Sequence, residues 1–138
     1  LMHMKGTPGS MQEAPRYDDI MGEISSYLSE SIKIAQEAGI KPDRIIVDPG
    51  IGFGKKLEHN LTILKNLDVL RQLGKPILVG TSRKSFLGEL TGKEAGERVF
   101  GTAASVALAV INGASIIRVH DVDPMKDVMR VIDAIRSA

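Results

Sequence analysis

The sequence predicts an α/β fold with a parallel sheet, arranged as half of an eight-stranded (β/α)8, or TIM, barrel. Three observations predict it. Four apolar runs of strand length alternate with four stretches of helical periodicity, and that order implies parallel strands joined by right-handed crossovers. Polar residues gather immediately after the strands, where the βα loops of such folds form the functional rim. The whole chain is 138 residues, against the ~250 of a complete eight-stranded barrel. An open doubly wound sheet is the rival. It is disfavoured because the glycine-rich loop lacks the G-x-G-x-x-G spacing and the polar residues are spread over all four strand ends.

The elements follow in order. Leu1-Met2-His3-Met4 reads as the first strand and Lys5 to Ser10 as a loop broken by Gly and Pro. The chain opens directly on that strand, as expected of a cut through a larger protein. Asp18 or Asp19 caps a helix in which Ile20, Ile24, Tyr27, Leu28, Ile32 and Ala35 recur at helical spacing, with Gly39 at its end. Strand two is Ile45-Ile46-Val47-Asp48. A second helix carries Leu61, Leu64, Leu67 and Leu70 and stops at Gly74. Strand three, Pro76 to Gly80, leads into the polar loop Thr81-Ser82-Arg83-Lys84-Ser85. A third helix runs from about Ala95 to Ile111 and ends at Asn112-Gly113. Strand four occupies Ser115 to Asp121. Asp123 as N-cap and Pro124 as first helical residue open the last helix, with Val128, Val131, Ile132 and Ile135 on its apolar side.

Composition narrows the class. A formal charge of +1 from 18 basic and 17 acidic residues leaves no electrostatic footprint for nucleic acid or a membrane surface. The absence of cysteine excludes disulfides and thiolate metal sites and fits a cytoplasmic protein. No transmembrane run is present, and no His, Asp and Glu trio has metal-ligand spacing.

Chemistry concentrates at four places. In Asp48-Pro49-Gly50-Ile51-Gly52-Phe53-Gly54-Lys55, three glycines within five residues let the backbone lie close to a flat ligand. Alternation puts Asp48 on one face with Ile46, and Ile45 with Val47 on the other. A carboxylate there can accept two parallel hydrogen bonds from a 2-amino-4-oxo pyrimidine edge; helix capping or pairing with Lys84 are its structural alternatives. Phe53 either stacks on a ring or packs its own loop. In strand three, Leu78, Gly80 and Ser82 share a face, and an inward glycine leaves room for a ring. Lys84 reaches in from the loop, whereas Arg83 reads as a solvated charge. In strand four, Arg118 and His120 share a face beside a helix N-terminus, which suits a phosphate or pyrophosphate; pairing of Arg118 with Asp48 is the alternative. His3 and His59 read as structural.

Four blocks, Leu1 to Pro8, Asp48 to Lys55, Gly80 to Gly88 and Arg118 to Val122, resemble dihydropteroate synthase in content and order. The resemblance spans the chain and corresponds to the C-terminal half of that enzyme, a partial pterin-binding domain over 1–138 holding the fifth to eighth βα units. It implies a cytoplasmic transferase of folate biosynthesis that condenses 6-hydroxymethyl-7,8-dihydropterin diphosphate with p-aminobenzoate, a reaction inhibited by sulfonamides. Asp48, Lys84, Met2, Gly80 and Phe53 would then meet the pterin, and Phe53, Lys84 and Ser85 the p-aminobenzoate. Arg118 and His120 would hold the pyrophosphate, and Lys84, Arg118 and His120 would carry the catalytic electrostatics. Mg²⁺ would be liganded mainly by substrate pyrophosphate and a residue of the missing N-terminal half, and catalysis by this chain alone would be incomplete. Two other readings stand beside it. One is a pterin-binding methyltetrahydrofolate methyltransferase, which does not need the Ser-Arg-Lys-Ser loop or the Arg-x-His site. The other is a non-catalytic half barrel that self-associates, as a homodimer for example, through its open sheet edges.

Overall fold

The structure is a computed structural model, and it describes residues 1–6 and 15–138. The expected loop after the first strand falls outside the described residues beyond Gly6.

Parallel pairing is present where the apolar runs predict it, in shorter pieces. Met2 bridges Asp48, Val47 bridges Ile77, and strand β1 (Leu78–Val79) pairs in parallel with β2 (Ile116–Ile117) in the register Leu78 to Ile116. Backbone bonds continue the pattern, from the His3 N–H to Asp48 O, from the Leu78 N–H to Val47 O and from the Arg118 N–H to Val79 O. The first two expected strands therefore appear as single bridges rather than full ladders.

Helices cover one side of these segments. Helix α1 (Ile20–Glu37) starts where Asp19 accepts a bond from the Gly22 N–H, and Ile24, Leu28 and Ile32 lie in the core. Tyr27, expected on the apolar stripe, is instead 46% exposed. Helix α2 (Leu57–Lys65) is shorter than its leucine spacing predicts, because the chain tightens into 3₁₀ turns over Leu67–Leu73. Three residues per turn put Leu67 and Leu70 on one buried face. Gly74, at a φ of 61°, closes the segment as expected.

Three elements further along the chain differ from the sequence expectation. A seven-residue helix, α3 (Ser85–Thr91), follows the polar loop; it is too short to announce itself by periodicity, yet it buries Phe86 and Leu87. The third predicted helix begins later, as α4 (Val99–Ile111), after a 3₁₀ turn over Ala95–Glu97. Helix α5 (Val122–Arg136) has Asp121, not Asp123, at its N-cap position, and Pro124 is the third helical residue rather than the first. The first turn lacks intrahelical N–H partners, so proline is tolerated there. Along α5, Met125 and Ile132 are buried and Val128 is half-buried, whereas Val131 and Ile135 are exposed.

The core lies between the helices and the helix-facing side of the strand segments, with Ile45, Val47, Ile77 and Val79 all buried. Alternation sends Ile46, Asp48 and Gly80 to the opposite face, and Ile46 there is 39% exposed. One face of the sheet packs; the other is free for chemistry.

Candidate active site

The glycine loop after Asp48 is held at every turn. The Gly50 N–H donates to Asp48 Oδ1 at 2.7 Å, and the Gly52 N–H to Asn60 Oδ1 at 2.7 Å. Tyr17 donates its hydroxyl proton to the Gly54 carbonyl at 2.8 Å. Lys55, only 4% exposed, donates to the Phe53 carbonyl at 3.0 Å and lies 3.0 Å from His3 Nδ1. Burial lowers the Lys55 pKa to about 8, against the pull of the Asp48 carboxylate. Burial likewise depresses His3 to about 4, with Lys55 adding to the effect. His3 is thus a neutral acceptor, so the reading of His3 as structural fits the geometry. His59 accepts from the Lys56 N–H at the start of α2, which fits the same reading.

Lys84 crosses from the next loop to this one. Its ammonium donates to the Ile51 carbonyl and stands 4.5 Å from the Phe53 ring centre. Gly52 makes that approach possible: its φ is +79°, and a side chain there would begin 3.0 Å from Lys84 Cδ. Burial lowers the Lys84 pKa to about 8; Asp48 opposes the shift and Arg118 adds to it. Of the structural alternatives for Asp48, neither an ion pair with Lys84 nor one with Arg118 is present among the described residues. Its Oδ1 is used within its own loop.

The other half of the site surrounds a cavity of about 290 Å³ lined by Gly80, Ser82, Lys84, Arg118, Val119 and His120. Arg118 lies beside Gly80, where a Cβ would come within 3.3 Å of its Nε. Ser82 Oγ accepts from the His120 N–H at 3.2 Å and lies 3.0 Å from His120 Nδ1. If the hydroxyl proton is donated to Nδ1, the ring proton sits on Nε2, which can donate to a ligand. Met2 is half-buried and bridged to Asp48, and Ser85 is exposed as the first residue of α3.

One expectation is overturned. Arg83 is not a solvated charge, because its Nε and Nη2 donate to the two Asp121 carboxylate oxygens at 3.1 and 2.6 Å. The same hydrogen bonds hold the Asp121 carboxyl below its usual pKa range. They also explain why Asp121, though at the N-cap position, makes no side-chain cap.

These residues bring a carboxylate, a buried ammonium, an aromatic ring, a guanidinium and an imidazole to one end of a parallel sheet. A family model described as pterin binding enzyme matches residues 1–120.

The chain belongs to the pterin binding enzyme family.

Relatives of this pterin binding enzyme chain include dihydropteroate synthases. It is 46% identical over 138 residues to that of Escherichia coli K12, which aligns with all of the chain and 49% of the relative. The Yersinia pestis dihydropteroate synthase structure with a sulfonamide drug complex matches with a TM-score of 0.97 at 43% identity, covering 99% of this chain and 50% of that one. The Thermus thermophilus enzyme in complex with 6HMPPP matches with a TM-score of 0.93 at 40% identity, over 99% and 54%. The same Thermus enzyme has also been solved with 4-aminobenzoate. The chain spans about half the length of the curated relatives it matches, their C-terminal half.

Sequence reasoning missed Lys55, Tyr17, Asn60 and Asp121 as supports of the candidate site. Lys55 ends the glycine block and gave a signal that could have been used, since a lysine inside an otherwise small and apolar loop has few places to put its charge. Tyr17 and Asn60 gave none, because their partners are backbone atoms brought close only by the fold.

Proposed function

We propose that this chain is the pterin-binding half of a dihydropteroate synthase, with four βα units forming the C-terminal half of a (β/α)8 barrel. It would act on 6-hydroxymethyl-7,8-dihydropterin diphosphate and p-aminobenzoate, in the cytoplasm. The observation that carries this reading is the convergence of Asp48, Lys84 and Phe53 next to the Arg118 and His120 cavity. One side suits a flat ring with a donor edge; the other suits a pyrophosphate.

In this reading the Asp48 carboxylate accepts from the pterin amino group and adjacent ring N–H. Lys84 donates to the ring from the opposite side, and Met2 and Gly80 line it. The bond between the pterin methylene carbon and the pyrophosphate oxygen breaks, and pyrophosphate leaves with the electron pair. Arg118 and His120 stabilise the charge that develops on it. The arylamine nitrogen, held beside Phe53, Lys84 and Ser85, attacks the methylene carbon and then loses a proton. The work of the protein is positioning and electrostatics.

Mg²⁺ enters the proposal only as an ion that the substrate pyrophosphate and groups outside this sequence would ligate. Among the described residues no group of three or more His, Asp or Glu side chains is placed to hold a metal ion. Self-association belongs to the proposal as well. Phe100, Ile111, Val131 and Ile135 are exposed on α4 and α5, and sedimentation over a range of concentrations tests whether a second copy covers them.

The test is p-aminobenzoate-dependent pyrophosphate release by the purified chain at increasing protein concentration. Release that rises faster than linearly means that the half barrel completes itself by association. No release, with pterin diphosphate still bound, means that the rest of the catalytic apparatus lies elsewhere. Failure to bind pterin diphosphate at all refutes the assignment.

A further inference from the structure

The turn that delivers Lys84 is strained, and something must hold it. Residues 81–84 close a tight turn through a bond from the Lys84 N–H to Thr81 O at 3.2 Å. Within it Arg83 has a φ of +59°, the one non-glycine residue with positive φ among those described. That left-handed region is unfavourable for a side chain as large as arginine.

Three groups outside the turn hold Arg83 there. Thr102 Oγ1 accepts from its N–H at 3.2 Å, and Asp121 takes its guanidinium. Arg98 Nη1 donates to its carbonyl at 2.8 Å and to the Lys84 carbonyl at 3.3 Å. Arg98 Nε in turn donates to the Lys93 carbonyl at 2.8 Å, which fixes the plane of the guanidinium.

Gly88, one turn into α3, is part of the same device. A Cβ built on Gly88 would overlap the Arg98 guanidinium. Its φ is not in the left-handed region, so the glycine is not there for backbone freedom. It leaves the space that lets a cation lie against the turn.

We propose that Arg98 is a positioning residue that acts through Lys84: seated over Gly88, it clamps the carbonyls of Arg83 and Lys84 and so aims the Lys84 side chain across Gly52 toward Phe53 and Asp48. The functional meaning of that aim rests on the pterin reading, whereas the clamp itself does not. Lys84 touches the ligand in this account; Arg98 does not.

The experiment has two readouts on the 138-residue chain. The first is the titration of Lys84, followed by NMR of lysine labelled at Cε and assigned with Lys84→Arg. In the parent it reports an ammonium surrounded by Asp48, Lys55 and Arg118 and desolvated between the two loops. The second is pterin diphosphate affinity by calorimetry. Arg98→Met is expected to return the Lys84 titration toward that of an exposed lysine and to weaken binding about tenfold, in keeping with the loss of charged hydrogen bonds. Arg98→Lys, which keeps one charged donor nitrogen, should recover part of both. Gly88→Ala should reproduce the effect with Arg98 intact, and alanine is the better helix former, so a fold-independent comparison is available should Arg98→Met not fold. In a Lys84→Met background, Arg98→Met should bring no further loss of affinity. An unchanged Lys84 titration in both Arg98→Met and Gly88→Ala overturns the proposal, as does an additive loss in the double variant. A parent that binds no pterin diphosphate refutes the pterin reading instead, and the Lys84 titration still decides the role of Arg98.

Discussion

Replacing Lys55 by methionine should remove a specific part of the alkaline rise in stability. Lys55 is almost fully buried between His3 and the Phe53 carbonyl, and burial lowers its pKa from 10.5 to about 8. The unfolded chain keeps the lysine protonated up to about pH 10.5, whereas the folded chain releases that proton from about pH 8. The folded state therefore binds fewer protons in this window, and its stability increases with pH across it. From pH 7 to pH 9 the gain from this one group is about 1.4 kcal/mol, which corresponds to the single pH unit by which pH 9 exceeds the folded pKa. Lys84, lowered in the same direction by its own burial, adds a second contribution that the variant retains. Urea denaturation at pH 7 and pH 9 measures the difference for parent and Lys55→Met. The parent should gain more than the variant by about 1.4 kcal/mol. Equal gains in the two proteins would refute the account of Lys55 as a desolvated ammonium.

Three further outcomes follow from the same geometry. Gly52→Ala places a side chain at a φ of +79° and 3.0 Å from Lys84 Cδ, so it should cost about 1–2 kcal/mol in stability by chemical denaturation and also weaken pterin binding. His3, held neutral with its pKa near 4, binds fewer protons folded than unfolded between about pH 4 and 6.5. Stability is therefore fully present above pH 6.5 and falls as the pH drops toward 4, and His3→Gln should flatten that limb in an acid titration followed by circular dichroism. Arg118→Gln alters an exposed side chain, so the thermal midpoint should hold while affinity for inorganic pyrophosphate falls about tenfold.

Much of the candidate site's geometry was legible because its residues sit at strand ends, where alternation assigns faces. Ile45 and Val47 are buried while Ile46 and Asp48 take the other face, as period two requires. Gly80 lies beside Arg118 and Ser82 beside His120, across neighbouring segments whose pairing the strand order anticipated. The helix boundaries were less legible. Leucines spaced by three fit a 3₁₀ turn as well as an α-helix, and nothing local distinguishes the two before packing does. Asp123-Pro124 has the appearance of a helix start, yet the helix begins one residue after Asp121. The supports of the site were the least legible of all. Arg83 and Asp121 are 38 residues apart, and Tyr17 and Gly54 are 37 apart, so only the fold reveals that each pair meets. Sequence patterns report faces and periods; they do not report which backbone carbonyl a distant side chain will find.

In the proposed function Asp48 reads the donor edge of a pterin. Calorimetric binding of pterin diphosphate to the parent chain and to Asp48→Asn tests it most directly. The amide offers that edge one acceptor and an opposing donor, so the account predicts binding by the parent and a loss of at least about tenfold in the variant. Equal affinity in the two proteins would contradict it.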